Sequence, residues 1–202
     1  MQKILLPKKY LSPSQMEMWE KSPDRYKAEY FERGRKLMTK YLEFGSKIHK
    51  MIEDGEYKET LPGLKVYDQR ELEIRTEING VPVFFIIDGY DNDHTFGDYK
   101  TGKRPWTQAK VQKHNQFLFY ATGLRVVNGV MPRYCETHWI ETKEDPVKEH
   151  SFWKNDKKVE LTGRVQTFRR YFDERELDRM EKDILRVAQE ISEAYIAFIN
   201  EI

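Results

Sequence analysis

The stretch ELEIRTEINGVPVFFIIDGYDNDHTFGDYKTGK, residues 71–103, sets the fold of this chain. Leu72, Ile74, Thr76 and Ile78 alternate with charged residues, the period-two signature of a strand with one buried face. Asn79-Gly80 follows, and that dipeptide supplies the backbone a two-residue hairpin turn requires. The apolar run VPVFFII makes a second strand that ends at Asp88 and Gly89. YDNDHT turns the chain again, and FGDYKT makes a third strand. Side chains two apart on a strand emerge on one face, so Asp98 and Lys100 share a side. Asp88, at the end of the neighbouring strand, reaches the same pocket with little distortion.

Two readings of these charges stand side by side. They are either a hairpin's polar face turned to water or a metal site built for phosphodiester hydrolysis. Two carboxylates about 4 Å apart repel by about 4 kcal/mol at an effective dielectric near 20, and a hard cation removes that cost. Magnesium takes oxygen ligands and is commonly held by one or two carboxylates plus substrate phosphate. Asp88 and Asp98 suit that role. Lys100 is placed to orient a water or to neutralise charge in the transition state. Glu77, on the polar face of the first strand, can support the site from behind. An Asp-x-Lys triplet alone carries little information, because ordinary charged-residue usage yields about one per chain of this size.

Outward from this hairpin, the pattern changes to helical spacing. Ser12 and Ser14 are candidate N-caps for a first helix that Pro13 helps to start. A second helical segment follows SPDR. Residues 35–53 space Leu37, Tyr41, Phe44, Ile48 and Ile52 along one stripe, with His49 beside it. After the third strand, residues 106–122 read as a helix closed by Gly123, with Gln108, Gln112, Gln116 and Tyr120 on one face. RYCETHWIE reads as a fourth strand. From Asp173 a stripe of Leu177, Met180, Ile184, Val187, Ile191, Tyr195, Phe198 and Ile202 predicts one long amphipathic helix. The expectation is an α/β (α+β) fold: a mixed central sheet of about four strands flanked by helices. One domain spans 1–202, with N-terminal helices over about 11–55 and the long helix over about 173–201 packed on the core.

Composition narrows the class. The 27 aromatic side chains among 202 residues argue against a disordered chain. A single cysteine, Cys135, excludes an internal disulfide and any four-cysteine cluster, and suits a reducing compartment. No apolar run approaches the roughly 20 residues of a membrane helix, and the N-terminus lacks a signal-peptide core. The expectation is an intracellular, cytoplasmic protein with no membrane partner. The net charge of +1 hides an uneven distribution. Lys100, Lys103, Arg104, Lys110 and Lys113 fall in one stretch without an acid, and a second basic run holds Lys154, Lys157, Lys158, Arg164, Arg169 and Arg170. Such runs are either solvated faces or the electrostatic footprint of a nucleic acid. Lys103, Arg104, Lys110 and Lys113 are the candidate nucleic-acid-binding residues, since phosphate contacts dominate non-specific binding. Tyr10, Trp19 and Trp106 are candidates for stacking on unpaired bases, with burial in the core as the alternative.

The segment IIDGYDNDHTFGDYKTGK resembles the active-site hairpin of the PD-(D/E)XK nucleases, in particular their RecB-like branch. Four further stretches match that branch in order. LSPSQMEMWEKSPDRYKAEY resembles its N-terminal segment, and GSKIH at 45–49 its G-x-x-x-H motif. Glu77 stands where many members carry an acid before the hairpin turn, and QFLFY at 116–120 matches Q-x-x-x-Y. The resemblance covers residues 11 to about 140. It implies a restriction-endonuclease-like core. It makes His49, Asp88, Asp98 and the backbone carbonyl of Tyr99 the ligands of one or two Mg2+ or Mn2+ ions. Lys100 becomes the catalytic lysine, positioned with the phosphate by Gln116 and Tyr120. Ser22 stands where iron–sulfur members carry a cysteine, so no iron–sulfur cluster is expected. The implied activity is a DNA nuclease, an exonuclease on single strands or duplex ends in repair, recombination or processing. The alternatives are a structure-specific endonuclease or a catalytically silent DNA-binding or assembly subunit. Protein partners or a homo-oligomer are compatible with either.

Overall fold

The Asn79-Gly80 turn organises the sheet. In the computed structural model, which describes residues 4–32, 40–146 and 157–201, both turn residues have left-handed backbone, with φ of 50° and 81°. This is the geometry that matches strand twist in a two-residue hairpin. β1 (Gln69–Ile78) and β2 (Val81–Tyr90) pair outward from it in one register, from Ile78↔Val81 to Gln69↔Tyr90. β3 (Thr95–Gly102) pairs with β2 at only two positions, Gly89↔Gly97 and Tyr90↔Phe96, and then parts from it. It runs on parallel to β4 (Tyr134–Pro146), from Thr95↔Tyr134 to Gly102↔Glu141. β5 (Lys157–Arg170) closes the mixed sheet antiparallel to β4, giving the order β1-β2-β3-β4-β5.

The sheet thus has five strands where the sequence suggests about four. β5 was hidden in the second basic run. It is an edge strand, and charge on an edge is a common guard against pairing with other chains. Its pattern is also broken by Gly163 at φ 83° and by a register shift against β4 between Ile140 and Thr142.

Helices cover both faces. α1 (Pro13–Lys21) and α2 (Pro23–Tyr30) are capped by the hydroxyls of Ser12 and Ser22, which accept from the amides of Gln15 and Arg25. α3 (Lys40–Glu53) follows. The expected helix over 106–122 is two: α4 (Gln108–Gln112) and α5 (Asn115–Asn128), separated by Lys113 and His114. Gly123 does not end α5. It lies inside the helix because the Phe85 ring packs so close that a Cβ there would come within 2.3 Å of it. The left-handed cap is Gly129, at φ 70°. α6 (Glu174–Asn200) starts at its N-cap Asp173, as expected. Leu37, Lys154 and Ile202 lie outside the described residues, as do the first residues, 35–39, of the expected third helix.

Two apolar clusters hold the layers together. The larger joins α1, α2, α5 and α6 to Phe85, Ile87, Phe96 and Trp139 on one side of the sheet. The smaller joins Ile48 and Ile52 of α3 to Leu61, Leu64, Tyr67, Tyr99 and Ile140 on the other. Where β2 and β3 part, the sheet opens between them. No helix among the described residues is long and apolar enough to cross a membrane.

Candidate active site

The position just beyond the last β2–β3 pair is occupied by Asp88 on β2 and Asp98 on β3. Parting strands leave backbone groups unpaired, and one of them is satisfied by a side chain: the Tyr99 amide donates to Asp88 Oδ2 at 2.6 Å. The carboxylate is thereby fixed at the mouth of a cavity of about 920 Å³. α3 brings His49 to the same place. Its Nδ1 lies 3.6 Å from Asp88 Oδ1 and 3.7 Å from Glu71 Oε1, and its Nε2 lies 3.2 Å from the Tyr99 carbonyl. His49, Glu71 and Asp88 offer ligand atoms within 4.8 Å of one another. Tyr99 thus turns its backbone carbonyl toward His49, while its phenol is anchored on the far side by donating to the Lys65 carbonyl at 2.9 Å.

Asp98 stands apart from that close trio. It is 1% exposed, and Lys100 Nζ donates to its Oδ1 at 2.9 Å. Its Oδ2 is buried, with no hydrogen-bond partner among the described residues. Lys100 also donates to Gln116 Oε1 at 3.0 Å, and Gln116 Nε2 donates to the Tyr120 hydroxyl at 2.6 Å. An ammonium has three N–H donors, so one remains for an oxygen in the cavity. The Q-x-x-x-Y spacing on α5 thus becomes a relay that holds Lys100 from one side.

Burial and the crowding of like charges set the electrostatics of this arrangement. Burial and the neighbouring Asp98 push the Asp88 carboxyl up to about 7, against the opposing pull of His49 and Lys100. Burial disfavours charge on His49, but Glu71, Asp88 and Asp98 outweigh it and push the imidazole up to about 9. Burial likewise opposes charge on Lys100, and Asp98 and Asp88 again prevail and raise it. Tyr120 is raised well above its ordinary range by burial and the two aspartates. A buried oxygen with no donor among the described residues and a carboxylate driven toward its neutral form both suit a cation-binding position. The donor set of imidazole, carboxylates and one backbone carbonyl suits a divalent ion.

The structure gathers His49, Asp88, Asp98, Tyr99, Lys100 and Gln116 around one opening, with Tyr120 behind Gln116 and lining the neighbouring groove. It does not bring Glu77 there. Glu77 is exposed, next to the hairpin turn and paired with Pro82. Glu71 occupies the place instead, on the same strand and the same face. It lies between the paired positions Arg70↔Gly89 and Leu72↔Ile87, opposite Asp88, with φ at 49°. A left-handed backbone at a glutamate inside a strand is uncommon, and such conformations concentrate at functional sites. The hairpin itself carried the signal, since counting outward from Asn79-Gly80 sets Glu71 across from Asp88.

The four basic candidates are all exposed. Lys103 and Arg104 follow the end of β3. Lys110 and Lys113 line a neighbouring cleft of about 500 Å³ that reaches Gln116, and Lys110 Nζ sits 3.9 Å from the centre of the Trp106 ring.

No protein-family model matches the chain, and no curated protein matches it significantly. Two solved structures are similar in architecture. One, described as a "Putative exonuclease" from Eubacterium rectale, has a TM-score of 0.56 at 14% identity and covers 91% of this chain and 83% of that one. The other, a phage related exonuclease from Haemophilus somnus, has a TM-score of 0.53 at 17% identity and covers 94% and 82%. At such identities the likeness is one of fold, and the chain shares with both the mixed sheet flanked by helices.

Proposed function

We propose that the chain is a metal-dependent DNA nuclease of the PD-(D/E)XK type, in its RecB-like branch, acting as an exonuclease on single strands or DNA ends. The observation that carries this reading is the convergence of His49, Glu71, Asp88, Asp98 and Lys100 where β2 and β3 part. The fold shared with two exonuclease-named structures agrees with it. His49, Glu71, Asp88, Asp98 and the Tyr99 carbonyl would hold one or two Mg2+ or Mn2+ ions. Such an ion supplies Lewis-acid polarisation of the phosphodiester and acidifies water at neutral pH. The remaining work falls to the chain's own groups. Lys100 presents its third N–H to an oxygen on which charge develops, and Asp98 and Gln116 fix its direction. Gln116 is fixed in turn by the Tyr120 phenol. Lys103, Arg104, Lys110 and Lys113 attract the DNA backbone without regard to sequence.

The test is cleavage of end-labelled single- and double-stranded DNA in magnesium, manganese or chelator, beside the Asp98→Ala and Lys100→Ala variants. Metal-dependent release of nucleotides from ends, lost by at least about 100-fold in both variants, is the expected result. Salt-sensitive binding with no cleavage in any metal would replace the nuclease by a DNA-binding subunit. Nicking of a covalently closed circle would replace the exonuclease by an endonuclease.

A further inference from the structure

We infer that a groove beside the cavity, walled by Tyr10, Tyr30 and Phe84, is a stacking subsite for an unpaired base at the end of the DNA strand. The inference rests on the nuclease reading for its substrate and adds where that substrate's terminal base goes.

The groove holds about 460 Å³ and shares Ile86 and Gln116 with the cavity that contains the acids. Its position follows from the parting of the strands. The edge of β2 that β3 leaves is taken up at its other end by Leu11, which bridges Val83 in parallel. The Leu11 amide donates to the Pro82 carbonyl at 2.9 Å, and the Phe84 amide donates to the Leu11 carbonyl at 3.0 Å. This backbone clasp sets Tyr10 beside Phe84, with ring centres 5.1 Å apart and nearly edge to face. Phe84, Ile86 and Asp88 are alternate residues on one face of β2, so Phe84 lies about 13 Å along the strand from Asp88. All three are half-buried, whereas Phe85 and Ile87 between them are buried. One strand face therefore forms a continuous apolar path from the acids to the groove.

The walls are braced from behind and open in front. The Arg75 guanidinium lies 4.0 Å from the centre of the Phe84 ring. Tyr30 stacks on the fully buried Tyr26 at 4.6 Å. Core packing accounts for Trp19 and Trp106, which are 7% and 9% exposed, but it leaves Tyr10, Tyr30 and Phe84 facing the groove. The polar lining separates a base from a phosphate. Glu29 repels a phosphodiester and accepts from an exocyclic amine, while the exposed Lys8 stands at the rim. Every base has a π-face, so stacking here tolerates any sequence. A terminal base still paired in a duplex carries its partner beside it and cannot enter the groove alone, which makes the groove selective for frayed or single-stranded ends.

The test reads binding and stacking without cleavage. Oligodeoxythymidines carrying 2-aminopurine at the 5′ or the 3′ terminus are titrated in chelator with the wild-type protein, Tyr10→Ala and Tyr10→Phe. Wild type should quench the fluorophore at one terminus. Tyr10→Ala should lose that quenching and bind about 5- to 100-fold more weakly, while Tyr10→Phe keeps both. Wild-type protein crosslinked through a terminal 5-iododeoxyuridine should be modified at residue 10, 30 or 84, a readout that needs no folded variant. No quenching at either terminus, unchanged quenching in Tyr10→Ala, or crosslinks confined to other residues would each overturn the subsite. The two readings fail separately. Metal-dependent cleavage without quenching removes the subsite alone, and quenching without cleavage in any metal removes the nuclease.

Discussion

Two clusters of buried charge sit on opposite faces of β3 and β4, and they are built in opposite ways. On the face shared by Tyr99 and His138, Glu136 is 3% exposed yet fully served. It accepts from Lys65 at 2.9 Å, from Arg169 at 2.8 Å and from the Tyr67 hydroxyl at 3.2 Å. His138 is held between the Tyr67 hydroxyl at 2.8 Å and Thr167 at 2.9 Å. Burial alone would raise the Glu136 carboxyl, but Lys65 and Arg169 hold it low. On the other face Asp98 keeps an oxygen with no donor among the described residues, and Asp88, beside it on β2, is driven up to about 7. The first cluster is complete within the protein and serves stability. The second leaves acid groups crowded and incompletely served by the protein, the electrostatic pattern that concentrates at functional sites.

The sharpest break between the two clusters comes from Asp88→Asn. Metal-dependent cleavage should fall by about 100-fold or more, because a neutral amide is a poor partner for a hard cation. In chelator the same variant should unfold about 1 kcal/mol less readily than wild type, since removing a frustrated charge at a functional site commonly gains stability. Its amide oxygen can still accept from the Tyr99 amide. Wild type should gain about 2.7 kcal/mol in manganese at 100 times its dissociation constant, and the variant should not. The end-labelled cleavage assay reads the first effect, and urea unfolding with and without manganese reads the two stability effects. A variant less stable than wild type in chelator would show that Asp88 serves structure first.

Acid should act on the other cluster. Burial lowers the His138 imidazole from 6.5 to about 4, with Glu136 opposing and Lys65 assisting. The unfolded chain then takes up the proton before the folded one does. Stability is intact above about pH 6.5, is lost progressively as pH falls toward 4, and loses nothing more from this group below that. Over the whole window the loss is about 3 kcal/mol. Tyr67, Tyr99 and Thr167 contact the ring and Glu136 and Lys65 act on it through their charge, so His138→Gln, which keeps a hydrogen-bonding side chain, should flatten the slope between pH 6.5 and 4. An unchanged slope in the variant would transfer the acid sensitivity to another group. Glu136→Gln should cost about 2 kcal/mol at pH 7, because it weakens two charge-assisted hydrogen bonds whose donors are partly solvated. That is the reverse of the Asp88→Asn effect, at the same chemical change.

How legible each region was in the sequence follows the range of its contacts. The hairpin, its turn, the long C-terminal helix and the Asp98–Lys100 pair rest on spacings of two to four residues, and all are where the patterns put them. Local spacing was silent where a distant side chain decided the structure. Gly123 looks like a helix end until the Phe85 ring is known to need the space. Nothing local explains Gly89 and Gly97, yet the Tyr67 ring occupies the positions where their Cβ atoms would be, at 2.1 Å. The Tyr67, Glu136 and His138 network joins residues 69 and 71 positions apart, which no local motif encodes. Tyr10 was one of three aromatic candidates for stacking, and only burial separates it from Trp19 and Trp106.

Glu71 and Glu77 give the finest discrimination. Both lie on the same face of β1, so alternation cannot choose between them. The antiparallel hairpin can, because distance from its turn fixes which residue of β1 lies across from Asp88. That residue is Glu71, which faces His49 at 3.7 Å, while Glu77 is exposed beside the turn. Glu71→Gln should weaken manganese binding about 10-fold, the lower end of what loss of a supporting ligand costs, and Glu77→Gln should leave it unchanged. Calorimetric titration of both variants measures the difference directly. Equal effects would place the ion away from the His49, Glu71 and Asp88 trio, and a loss only in Glu77→Gln would require the hairpin to pair in another register.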